Sequence, residues 1–64
     1  MYVNNSFPNV MTVIEVAEFL RIGRTTAYEL VRTGEIPSVK VGRQIRVFRE
    51  DLLDYVRFNR GLEE

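Results

Sequence analysis

The residues of this 64-residue chain with the most chemistry to offer are cations and hydrogen-bond donors gathered between positions 21 and 49. Arg21, Arg24, Arg32, Lys40, Arg43, Arg46 and Arg49 lie there against only Glu29 and Glu35, so the stretch carries +5. Residues 1–20 and 50–64 carry Arg57 and Arg60 against Glu15, Glu18, Glu50, Asp51, Asp54, Glu63 and Glu64, which is −5. Nine basic and nine acidic residues thus cancel overall and leave a basic middle that can present a positive face to a polyanion. Double-stranded DNA is the first expectation.

Three groups within that middle suit the task. Arg24, Thr25 and Thr26, with Tyr28, open an expected second helix. A helix start offers N–H groups to phosphate, and a guanidinium can donate two bonds to a guanine edge. Arg43 and Gln44 mark the tip of an expected hairpin that could reach the backbone or the minor groove. Lys40 and Arg46, expected together on the non-core face of that hairpin, read as phosphate clamps. Each has a plainer alternative. Arg24 could only solubilise a helix start, and Thr25 and Thr26 could bond locally. Tyr28 could pack on the hairpin, and Lys40, Gln44 and Arg46 could guard a ribbon edge from unwanted pairing. Arg32 and Arg49 are lesser candidates, and Arg21 could merely offset Glu18.

Catalysis fits poorly. The chain has no histidine or cysteine, which removes the usual proton-transfer groups, thiolate ligands and disulfides. Glu15 has a capping role, and Glu50, Asp51 and Asp54 suit a solvated helix face better than a metal cluster. No cofactor or metal is expected. The 45% hydrophobic fraction is too high for a disordered tail, yet no apolar run reaches membrane-spanning length. With no signal-peptide pattern either, a cytoplasmic protein without a membrane partner is expected.

These side chains need elements to hold them. Residues 1–10 read as an extended or flexible arm, with Phe7 as a small-core filler. Thr12-Val-Ile-Glu15 matches a capping box, followed by Val13, Val16, Ala17 and Leu20 at helical spacing, which gives a helix near 13–20. Gly23 tolerates the bend to a second helix, Arg24 to about Thr33, stopped by Gly34, with Ala27, Leu30 and Val31 inward. Two helices about three residues apart outline a helix-turn-helix. Val39, Val41, Ile45 and Val47 are apolar at alternate positions, so 38–41 should pair with 44–47 through a reversal at Gly42-Arg43. A third helix should start at Glu50-Asp51, use Leu52, Leu53 and Val56 inward, and close near 59–60 at Gly61. Phe58 is expected to fill the core. The reading is one α+β domain, a small winged helix-turn-helix in the order helix, helix, β-hairpin, helix, over residues 11–60 with a short tail at 61–64.

Residues 11–56 also resemble the excisionase-type helix-turn-helix domain, related to the winged helix of the MerR regulators. The likeness lies in MTVIEVAEFL, IGRTTAYELVRTGEIPSVKVGRQIRV and FREDLLDYV, with Gly23 where that family often has serine. The resemblance implies that the helix of Arg24–Arg32 enters the major groove and that the hairpin is a wing. It further implies an excisionase, which bends DNA and helps a tyrosine-type integrase remove an integrated element without cutting DNA itself. Room for an effector domain or a dimerisation coiled coil is not expected in a chain of this length, which favours that role. Cooperative self-association on adjacent sites would supplement the few phosphate contacts of so small a unit. The alternatives are a small transcriptional repressor, or a protein-interaction module whose acidic third helix binds a partner.

Overall fold

A computed structural model of the chain describes residues 8–63, with side chains through residue 59. The order is β1 (Val10–Met11), α1 (Val13–Leu20), α2 (Arg24–Arg32), β2 (Val39–Val41), β3 (Gln44–Phe48) and α3 (Arg49–Glu63). This is a small α+β winged helix-turn-helix with one strand more than expected. Phe7 lies outside the described residues. Val10, which the sequence placed in the arm, pairs with Phe48, and Met11 pairs with Val47. A two-residue strand has no periodicity of its own; only its partner in β3 defines it.

Thr12 closes α1 with a complete capping box. The Glu15 N–H donates to Thr12 Oγ1 at 3.1 Å, and the Thr12 N–H donates to Glu15 Oε1 at 2.8 Å. Val13, Val16 and Ala17 form its buried face. The helix ends in the left-handed region at Arg21 (φ 59°), whose N–H reaches the carbonyls of Ala17 and Glu18. The bend therefore does not use the freedom of Gly23, which sits at φ −68° where any residue is comfortable. Gly34, at φ 86°, does supply a left-handed stop to α2, donating its N–H to the Val31 carbonyl at 3.1 Å. Two residues on, Ile36 is fully buried and its N–H bonds to the Leu30 carbonyl at 3.1 Å.

The sheet order is β1-β3-β2, antiparallel throughout. Val41 lies opposite Gln44, Lys40 opposite Ile45 and Val39 opposite Arg46, as the expected pairing of 38–41 with 44–47 requires. Gly42 has φ 62° and Arg43 does not have positive φ, the sign pattern of a type II′ turn. The face assignment is different from expectation. Directly opposed residues share a face, and a two-residue turn opposes odd to even positions. Ile45 and Val47 face the helices, so Val39 and Val41 turn outward, 45% and 64% exposed. Lys40 and Arg46 consequently belong to opposite faces and do not form the expected pair on one face.

The core joins Met11, Val13, Val16 and Ala17 to Ala27, Val31, Ile36, Val47 and Leu52. α3 starts one residue early, with the Arg49 N–H donating to the Asn9 carbonyl at 2.7 Å. It continues through Gly61 to Glu63, beyond its expected close. A glycine inside a helix costs about 1 kcal/mol, which weakens a helix without ending it. Phe58 is 67% exposed and is not a core filler.

Candidate nucleic-acid interface

The two helix starts are built differently. In α1 the capping box occupies the N–H groups of Thr12 and Glu15. In α2 the N-cap is Gly23, no side chain caps it, and no acidic residue stands in the first turn. The first backbone bond back to the cap is that of Ala27 to the Gly23 carbonyl, at 3.0 Å. The N–H groups of Arg24, Thr25 and Thr26 thus meet no capping side chain, in the positive field of the helix start.

Ala27 and Val31 fix which face of α2 is inward. The exposed surface carries Arg24, at its border with the inward face, and Thr25, Thr26, Tyr28, Glu29 and Arg32. Arg24, Tyr28 and Arg32, spaced by four, form one row along it. Thr26 falls about 100° beyond Thr25, on the flank away from that row. Arg32 donates through Nη2 to Glu29 Oε1 at 2.5 Å, an exposed pair that lowers the net charge Arg32 can present. Arg24, Lys40, Arg43 and Arg46 form no ion pair with a described residue.

The hairpin contributes two separate surfaces. Tyr28 from α2 and the first turn of α1, Thr12 to Ile14, face Arg43, Gln44, Ile45 and Arg46 across a groove of about 240 Å³. Arg46 is held at this edge, donating through Nη1 to the Ile45 carbonyl at 3.0 Å and through Nη2 to Gln44 Oε1. Lys40 stands apart on the edge strand β2, on the face it shares with Ile45. Of the nine candidate residues, then, Tyr28, Arg43, Gln44 and Arg46 converge. Arg24, Thr25 and Arg32 extend that surface along α2, while Thr26 and Lys40 lie to either side. The contribution of Thr12, Val13 and Ile14 was not foreseen, because it arises only when α1 packs beside β3. No group of His, Cys, Asp or Glu among the described residues could hold a metal ion. No described helix is long and apolar enough to cross a membrane.

Residues 10–60 match a family model described as a helix-turn-helix domain. A Mycobacterium tuberculosis protein provisionally named as DNA-binding is 42% identical over 55 residues, covering 81% of this chain and 70% of that protein. An excisionase of Streptomyces ambofaciens is 33% identical over 54 residues, covering 84% of this chain and 87% of that one. A Saccharopolyspora erythraea protein provisionally named an excisionase is 48% identical over 46 residues, covering 72% of this chain but 47% of its own length. No solved structure matches the chain significantly.

Proposed function

This chain belongs to the excisionase-type helix-turn-helix family, and from that membership we propose that it is a sequence-specific architectural DNA-binding protein promoting integrase-mediated excision of an integrated element. The observation that carries the reading is the uncapped start of α2 beside Arg24 and Thr25, continuous through Tyr28 with the basic hairpin. Donors at a helix start suit phosphate, and the Arg24 fork suits the O6 and N7 acceptors of guanine in the major groove. Arg43 carries the wing tip toward the neighbouring backbone, and Lys40 adds a phosphate contact from its own face. The proposed DNA-binding unit takes in Val10, which is paired with Phe48 in the sheet.

The family is non-enzymatic, so strand cleavage falls to a partner, here proposed to be a tyrosine-type integrase. A unit of this size neutralises few phosphates, and its useful affinity would come from protomers side by side on adjacent sites or from contact with the integrase. The deciding experiment is in vitro excision of the cognate element ends by their integrase, with and without the chain. Stimulation is the expected result. Specific binding to the ends with no effect on excision would assign the chain to transcriptional regulation instead, and a folded chain that binds no duplex at low salt would leave only a protein-interaction role.

A further inference from the structure

The groove between α1, Tyr28 and β3 offers donors almost exclusively. In a two-residue hairpin the residues flanking the turn exchange hydrogen bonds, so the next residue, Ile45, turns its N–H and C=O away from β2. They emerge on the β3 edge that β1, ending at Met11, leaves uncovered. The Ile45 carbonyl there already accepts from Arg46 Nη1 at 3.0 Å, and Gln44 Oε1 accepts from Arg46 Nη2. With those two acceptors each engaged by Arg46, the donors left to the groove are the Ile45 N–H, the Gln44 amide N–H groups, the free N–H groups of Arg43 and Arg46, and the Tyr28 hydroxyl. Among the described residues no carboxylate lines the groove. The Glu15 carboxylate, one residue beyond the lining residue Ile14, is turned to the Thr12 N–H.

We propose that this groove holds a single DNA backbone phosphate, gripped jointly by Tyr28, Arg43 and Arg46, at the point where the duplex passes from α2 to the wing. The proposal rests on the DNA-binding reading above and assigns the group that sits between its two halves. Two guanidinium groups and a ring of donors match an anion with several acceptor oxygens. Ile14, 38% exposed on the rim, offers an apolar wall to the adjoining deoxyribose. The site is continuous with the exposed row of Arg24, Tyr28 and Arg32, which favours a phosphate within a duplex over a free anion. One phosphate held by side chains from both α2 and β3 fixes the register of the reading helix on DNA.

The test uses a duplex selected by the wild-type chain from a random pool, with single phosphates replaced one at a time by neutral methylphosphonate along each strand. One position is expected to weaken the wild type roughly tenfold, the scale of a lost charge-assisted contact. At that same position Arg43→Ala, Arg46→Ala and Tyr28→Phe should each show a much smaller further loss. Arg46→Lys, which keeps charge but not the fork, should recover only part of the sensitivity. Amide spectra of each variant establish that it is folded. Loss of sensitivity at a different position in each variant would mean separate phosphates and overturn the proposal, as would a scan with no sensitive position that the variants share. Saturable shifts of the Ile45 amide with inorganic phosphate alone would make it a free-anion site, which also overturns it. A wild-type chain that selects no duplex fails the DNA-binding reading itself, an outcome distinct from all of these.

Discussion

Val41 and Val47 lie in one hairpin, carry the same side chain and stand at alternate apolar positions of the sequence, yet their truncation should differ by about 2 kcal/mol. Val47 is fully buried between Met11 and the helices, whereas Val41 is 64% exposed. Val47→Ala removes two buried methyl groups, about 1.6 kcal/mol of transfer at ~0.8 kcal/mol each. The cavity left behind raises that to about 2–3 kcal/mol. Val41→Ala removes the same atoms, but only about a third of their burial is lost, near 0.5 kcal/mol. A few tenths for reduced strand preference keep its total below about 1 kcal/mol. For a domain of this size each kcal/mol moves the melting temperature by roughly 4–8 °C. Thermal and urea unfolding followed by circular dichroism should place Val47→Ala some 10 °C below Val41→Ala, with equal urea slopes. Equal losses would refute the register, because Val41 could share the core face with Val47 only if the turn at Gly42-Arg43 were not two residues long. The same register separates Lys40 from Arg46 and turns the Ile45 N–H into the groove, so a stability measurement also tests the geometry of the proposed interface.

Thr12→Ala should cost about 1 kcal/mol in denaturant unfolding, since it removes one half of a closed capping box and leaves the Glu15 N–H without its acceptor. Gly23→Ser should be tolerated and add a few tenths of a kcal/mol by the same assay, because a Cβ there meets nothing within 4 Å and the backbone is already extended. Arg24→Ala should weaken specific binding about 5- to 150-fold, the span of a lost bidentate base contact, and non-specific binding far less; equal losses on both DNAs in a titration would make Arg24 a phosphate contact. Glu29→Gln should tighten binding and steepen its salt dependence by up to about one ion pair, by removing a carboxylate from the reading face and releasing Arg32.

The local features of this fold were legible because local rules govern them. Thr12 and Glu15 are three residues apart and form the box that spacing predicts; Gly34 ends α2; Gly42-Arg43 turns the chain where a two-residue reversal fits. The missed features depend on partners distant in sequence. Met11 is core only because Val47 lies opposite it, and Ile36 is core only because the α2–β2 connection folds back over Leu30. Alternation counted straight across the turn puts Val39 and Val41 on the same face as Ile45 and Val47. The pairing of 41 with 44, itself correctly read, reverses that parity. The candidate site divides along the same line. Its cations and their two carriers, helix and hairpin, could be read from residue type and spacing, whereas the convergence of Tyr28 and Arg46 beside the first turn of α1 required the packing of three elements.

What distinguishes the proposed DNA-facing surface is less its cation count than where its acceptors go. In α1 the carboxylate of Glu15 and the hydroxyl of Thr12 accept from each other's backbone, which satisfies a helix start with the chain's own oxygens. In α2 Gly23 brings no oxygen to the same position, and the first N–H groups stay without a capping acceptor. On the β3 edge the logic runs through Arg46, whose guanidinium covers the Ile45 carbonyl and the Gln44 amide oxygen. An exposed carbonyl or carboxylate in either place would meet phosphate oxygen to oxygen, a repulsive contact that desolvation makes costlier. Donors left open and acceptors closed internally give the opposite result, attraction that grows as water leaves. On this surface Glu29 is the exception, and Arg32 is placed to cover it. The +5 segment is therefore electropositive in its hydrogen-bonding capacity as well as its formal charge, a property that net charge alone does not reveal in a chain that sums to zero.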